Sequence, residues 1–212
     1  MAPKLQVTGW RLLIGTAAAF AVWLLGAKPG LAQAAPTVLP MVETGHVSVA
    51  GHDVPYRIRS LPVSSFPNLP APIAETLNSL GCLIPQTYEA HRPENVIHAS
   101  LERSGAADWA VLCLVKDSVT LLVFFASASS RDPIALVTAA KTERLQPHDQ
   151  SGELGFNWGI DPASPGRIHD AQAGMNRRPS PPDHDCLADT TVDQKTVYHL
   201  YRDSAWSKVE VE

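Results

Sequence analysis

Two strand-like runs, His46–Ala50 and Val54–Ser60, open the hydrophobic pattern of the chain's body, and Gly51-His52-Asp53 between them suits a hairpin turn. Residues 61–72 carry Pro62, Pro67, Pro70 and Pro72 and read as an extended connection. One helical pattern follows. Ile73, Leu77 and Leu80 fall at i, i+4 and i+7, Pro72 suits a first helical position, and Gly81 suits a C-terminal cap. In the centre, Val96–Leu101 reads as a strand and residues 102–107 as a polar turn. Trp109–Val115 and Val119–Ala126 are nearly continuous apolar runs joined by Lys116-Asp117-Ser118. Lacking clean alternation, both strands are expected to be covered on both faces or central in a sheet. Ile134–Ala139 adds an edge strand or a short helix. Residues 146–186, rich in Pro, Gly, Asp and His with little periodicity, are expected to be long loops. A second hairpin, Thr196–Arg202 and Trp206–Val211 about Asp203-Ser204, ends the chain. The pattern predicts an α+β or mainly β fold: an antiparallel sheet with one short helix packed on it and long loops.

The first 34 residues follow a different rule. Lys4 and Arg11 precede an uncharged run from Leu12 to Leu25, and Ala32-Gln33-Ala34 gives the small-x-small pattern read by a signal peptidase. The apolar run is shorter than the roughly 20 residues a spanning helix needs. Residues 1–34 therefore read as a cleavable signal peptide, 35–44 as a linker with Pro36 and Pro40, and 45–212 as a single mostly β domain. The expected location is periplasmic or secreted, with no stable membrane span after cleavage.

Charge and cysteine content narrow the partners. Three of the 17 basic residues, Lys4, Arg11 and Lys28, lie in the signal, which leaves 14 against 21 acidic residues in the mature chain. The remaining basic residues are scattered, and such a surface repels phosphate backbones, so no nucleic-acid partner is expected. All three cysteines, Cys82, Cys113 and Cys186, survive processing. An oxidising compartment favours a disulfide, and an odd count leaves one thiol over. Cys82 follows the helix cap and Cys113 lies inside a central strand. These two are predicted to pair, with Cys186 free in a mobile loop.

Ser100-Leu101-Glu102-Arg103-Ser104-Gly105-Ala106-Ala107-Asp108, followed by the apolar Trp109-Ala110-Val111-Leu112, resembles an FG-GAP or VCBS-type repeat over about residues 95–126. In that family, oxygen side chains at loop positions one, three, five and nine, with Gly at six, typically cradle calcium. The resemblance implies Ser100, Glu102, Ser104 and Asp108 as calcium ligands. Hard cations need several oxygens held close by a tight turn. Ser stands at the first and fifth positions, which are usually acidic. The loop is therefore expected to keep the turn, closed by backbone N–H groups bonded to Asp108, without binding calcium tightly, and Glu102 is expected to point to solvent.

Asp183-His184-Asp185, with Asp189 beyond, is the densest run of metal-capable side chains; a distant histidine could complete a site. The eight histidines form no His-Glu-x-x-His pattern, and neither a Gly-x-Ser-x-Gly elbow nor a Gly-rich phosphate loop occurs. Trp109 and Trp206 lie within expected strands and suit core packing. Trp158, in Gly155-Phe156-Asn157-Trp158-Gly159, is the candidate for an exposed aromatic contact with a ligand. The leading expectation is an exported non-enzymatic module, binding or structural, with an envelope or extracellular partner and no cofactor. The alternative is a periplasmic hydrolase or metal-dependent enzyme using the Asp183-His184-Asp185 loop.

Overall fold

A computed structural model describes residues 40–128, 132–209 and 211. The expected signal peptide, residues 1–34, and the start of the expected linker lie outside these residues. Strands β1 (Met41–Val49) and β2 (His52–Pro62) form a long hairpin. Its two-residue turn is Ala50-Gly51, both at positive φ (50° and 83°), the geometry that matches the twist of paired strands. Residues 41–44 thus belong to β1 rather than to a linker. A 3-10 turn (Val63–Ser65) and helix α1 (Ala71–Leu80) follow. Gly81 caps α1 in the left-handed region at φ 73°, and its N–H reaches the Leu77 and Asn78 carbonyls. Then come β3 (Leu83–Gln86), β4 (Val96–Ala99), β5 (Asp108–Val115), β6 (Ser118–Phe124) and β7 (Ile134–Ala140), the last an edge strand.

The segment 146–186 departs from the loops expected of it. It holds most of β8 (Leu145–Pro147), all of β9 (Leu154–Phe156) and β10 (Trp158–Ala163), helix α2 (Pro165–Ala171), and the first residue of β11 (Cys186–Thr191). Strands of three residues are too short to display a period. β12 (Lys195–Arg202) and β13 (Ala205–Val209) close the fold as a hairpin about Asp203 and Ser204, both at positive φ. The described residues are mostly β, with two short helices.

The strands make two sheets. The smaller runs β10-β11-β12-β13 and is antiparallel throughout. The larger one forks at β2. β1 pairs along nine residues of one β2 edge. Arg59 pairs with Val42 on that edge and with Gln86 of β3 on the other, and Tyr56 pairs with both Gly45 and Leu154 of β9. β3 and β9 therefore share the second edge of β2, β9 in parallel, and start two arms, β3-β5-β6-β7 and β9-β8. Only the 3-10 turn Lys141–Arg144 joins the ends of the arms, β7 to β8. Strands lie about 4.8 Å apart, so a flat sheet could not be bridged that cheaply, and the arms curl toward each other.

Alternation along the strands sorts side chains into layers. In β5, Ala110, Leu112 and Leu114 face the space between the sheets, where Tyr56, Ile58, Trp158, Ile160 and Leu187 meet them. Val111 and Cys113 face the other way, onto Ile73 and Leu77 of α1. On the far side of the small sheet, Cys186, Ala188, Tyr198 and Leu200 pack on Ile168 of α2. The order is helix, sheet, sheet, helix. Cys82 and Cys113 are bonded, with Cα atoms 5.1 Å apart, and tie the end of α1 to β5. Closing that 31-residue separation stabilises the fold by about 3–4 kcal/mol in the chain-entropy account.

Candidate functional site

The segment from Thr87 to Asn95, between β3 and β4, has no regular structure but is held at every turn. The Gln86 side chain donates to the carbonyls of Ile84 and Glu94 (both 3.1 Å) and accepts from Glu94 N–H at 2.9 Å. The Thr87 N–H donates to the Glu94 carboxylate at 2.7 Å. These bonds close residues 86–94 into a ring. Arg59 donates to the Ala90 carbonyl from below. Asn95 anchors the segment to both sheets. It is buried at φ 67°; its amide donates to the carbonyls of Pro85 (2.7 Å) and Trp158 (3.1 Å), and its side-chain oxygen accepts from Ile160 N–H at 3.0 Å. Asparagine tolerates the left-handed region better than most residues.

This ring separates two hollows that meet at Thr87. On one side lies an open cleft of about 700 Å³, bounded by the ring, by Gly159 and Asp161 of β10, and by Thr190, Val192 and Asp193. Its charged side chains are Glu89, Glu94, Asp161, Asp193 and Arg92, with His91 beside them. Burial by surrounding protein raises the Asp161 carboxyl above its ordinary range, Arg167 opposes the rise and Glu94 adds to it. Asp161 is itself exposed, so its carboxylate is accessible at the cleft. On the other side lies a hollow of about 190 Å³ formed by Arg57, Arg59, Gln86, Thr87, Tyr88, His148, Gly155 and Phe156.

Tyr88 stands at the junction. Its ring stacks on His148 at 4.9 Å. Its hydroxyl donates to Asp193 at 2.9 Å and accepts from Gln146 at 2.6 Å. Burial first, and the Asp193 hydrogen bond second, raise the phenol above its ordinary value. Gln146 also donates to the Val192 carbonyl and accepts from Asn157 and Gln194, so the network spans both sheets. Gly155 lies directly under Tyr88: a Cβ there would fall 2.6 Å from Tyr88 Cβ and 3.0 Å from His148 Nδ1.

The metal-capable residues singled out in sequence lie elsewhere, and the fold joins their two groups. Asp108 is fully buried; its two carboxylate oxygens accept from Glu102 N–H (2.7 Å) and Ala126 N–H (2.8 Å). Gly105, at φ 76°, makes the bend, and Ser100 Oγ donates to the Ala106 carbonyl. Ser104 is exposed. Glu102 does not point freely to solvent: it accepts from Ser127 Oγ at 2.5 Å and Arg103 at 3.0 Å. Asp185 accepts from Ser100 N–H at 3.0 Å and returns its own N–H to the Ser100 carbonyl. His184 is buried, with Nδ1 on Asp183 (2.7 Å) and Nε2 on the Tyr201 carbonyl (2.8 Å). Hydrogen bonding to His184 lowers the exposed Asp183 carboxyl. As arranged, the Asp108 and Asp185 carboxylates accept main-chain N–H groups, and Glu102 accepts from Ser127 and Arg103. Among the described residues, no group of three or more His, Cys, Asp and Glu side chains converges as metal ligation requires.

Trp158 is not an exposed contact. It is fully buried in β10, donates to Asp189 at 2.6 Å and lies under the Arg144 guanidinium at 4.0 Å. Phe156 and Trp158 both turn into the core, and Gly155 serves close approach to Tyr88 rather than a loop. Asp189 also meets His199 at 3.3 Å. Cys186 is free as expected, but it is buried at the start of β11 rather than in a mobile loop. Burial, with the nearby Asp185 charge, pushes its thiol up to about 11.

The ring of residues 86–95 is the part that sequence reading passed over. Tyr88, Glu89, His91, Arg92 and Glu94 lie close together there, in no recognised motif, and only β10 and β11 turn them into a cleft wall. No family model, curated protein or solved structure matches this chain.

Proposed function

We propose that the protein is an exported, non-enzymatic binding module of the periplasm or cell envelope, and that the paired hollows about the 86–95 ring are its ligand face. One observation carries the binding reading: an open cleft with convergent charged side chains lies on a hydrogen-bonded ring, and its lining includes none of Asp183, His184 and Asp185, the side chains that would serve a hydrolase. The groups of the rival reading are already engaged. Asp185 accepts a main-chain N–H, Asp183 meets Nδ1 of His184, and Nε2 of His184 meets the Tyr201 carbonyl. A preformed cleft on hydrogen-bonded supports is the ordinary form of a small-molecule site. The Cys82–Cys113 bond suits an oxidising compartment. Among the described residues no helix is long and apolar enough to cross a membrane.

The test is a ¹H–¹⁵N NMR screen of the chain 35–212 against a panel of amino acids, sugars and organic acids. Shifts confined to Thr87–Glu94, Gly159, Asp161 and Asp193 are expected. Shifts centred on Asp183–Asp185, or hydrolysis of an ester or peptide panel abolished by His184→Gln, would favour the enzyme instead.

A further inference from the structure

We propose that the smaller hollow is an oxyanion site, which takes the carboxylate or phosphate group of a ligand whose remainder lies along the neighbouring cleft. The inference rests on the binding reading above and names the ligand class for one half of that face.

Arg57 and Arg59 occupy alternate positions of β2. Tyr56, Ile58 and Ser60 turn inward and are buried, so both arginines emerge on the opposite face. Residues two apart on a strand are separated by about 6.5 Å, so two guanidinium groups are held as neighbours. Arg57 is offset by Glu153, at 3.1 Å from its Nε. Arg59 is half-buried and, among the described residues, meets no carboxylate; its one acceptor is the neutral Ala90 carbonyl. A partly buried cation without a counter-ion is costly, and the site that holds one is prepared for an anion. The bond to Ala90 fixes the guanidinium plane and leaves other N–H groups to point at a ligand. A guanidinium fork matches the spacing of carboxylate and phosphate oxygens.

The rest of the hollow fits the same group. His148, stacked on Tyr88, lines the hollow together with the two arginines, and Asp149 lies 3.7 Å from its Nε2. Gly155 keeps the floor bare, because a side chain there would collide with Tyr88. About 190 Å³ suits one oxyanion and its waters, not a whole metabolite. Beyond Thr87 the cleft carries four carboxylates against Arg92, so a second anionic group is repelled there. The ligand class is therefore a molecule with one anionic end and a neutral or cationic body.

The experiment is an NMR titration of the chain 35–212 at constant ionic strength with inorganic phosphate, with acetate, and with chloride as the control. Saturable shifts of the Arg59 side-chain N–H, Thr87–Ala90 and Gly155 are expected with phosphate or acetate and not with chloride. Phosphate alone or acetate alone would assign the oxyanion. Arg59→Gln should weaken binding about tenfold or more, the size of one charge-assisted pair. Arg57→Gln, at a more exposed position, should weaken it several-fold and serves if Arg59→Gln fails to fold. Arg103→Gln, on a distant loop, should leave it unchanged. Equal, unsaturated shifts in all three salts, or wild-type affinity in both variants, would overturn the proposal. If the oxyanions leave the hollow unmoved while a neutral panel compound shifts Gly159 and Asp161, the oxyanion site falls and the binding reading stands. If neither region responds to any probe, both fall.

Discussion

Asn95→Ala removes one side chain and one of the hydrogen-bonded links between the two sheets. The amide makes three bonds, to Pro85 O, Trp158 O and Ile160 N. All lie in the interior, where a partner left unpaired costs about 1–3 kcal/mol, the lower end applying where water can enter. The backbone sits at φ 67°, a conformation that costs alanine about 1 kcal/mol more than it costs asparagine. The sum is about 4 kcal/mol, and at roughly 2–4 °C per kcal/mol for a domain of this size the melting temperature should fall by about 8–16 °C. Asn95→Gly separates the two causes. It loses the same bonds but not the φ preference, so it should be about 1 kcal/mol less destabilised than Asn95→Ala. Urea unfolding of the three proteins at equal m-value measures this directly. A loss under about 1 kcal/mol for Asn95→Ala, or a glycine variant less stable than the alanine one, would refute the reasoning.

Three further outcomes are expected. A thiol reagent at pH 8 should leave Cys186 unlabelled in the folded protein and label it in denaturant, because burial holds its thiol near 11; fast labelling of the native state would contradict that placement. Asp108→Ala should lower the melting temperature equally with calcium and with chelator, and by more than Glu102→Ala, since Asp108 closes two backbone bonds and Glu102 makes exposed ones; a large calcium-dependent rise, lost in Asp108→Ala, would reveal an occupied cation site. Asp117 is held below the usual carboxylate range by its hydrogen bond to Lys141. A depressed carboxyl contributes stability that is present above about pH 4 and lost as pH falls through its folded value. Asp117→Asn should therefore flatten the acid limb of a stability–pH curve and leave the limb near pH 7 parallel to wild type.

Local signals carried much of the fold. The Ile73–Leu77–Leu80 spacing and Gly81 placed α1, and the apolar runs either side of Lys116 placed β5 and β6, because each pattern completes itself within a few residues. Cys82 and Cys113 could be paired for a similar reason, since helix end and central strand bring them within bridging distance. The failures are non-local. Pro85 and Pro162 mask β3 and β10, and Asp189 interrupts β11 until Trp158 and His199 are seen to satisfy it. Gly155 and Gly159 flank Trp158 and read as a loop. One of them exists because Tyr88, far away in sequence, presses against its backbone. The candidate site suffers the same way. Arg57 and Arg59 belong to a strand, His148 to a turn and Asp161 to β10, and no window of sequence contains more than two of them.

Export underlies the whole functional reading, and intact-mass spectrometry of the protein recovered from the envelope or medium of its own cells tests it most directly. The account predicts a chain that begins at Ala35 and weighs two hydrogens less than the fully reduced form, for the Cys82–Cys113 bond. A chain that still begins at Met1, or one with three free thiols, would contradict it.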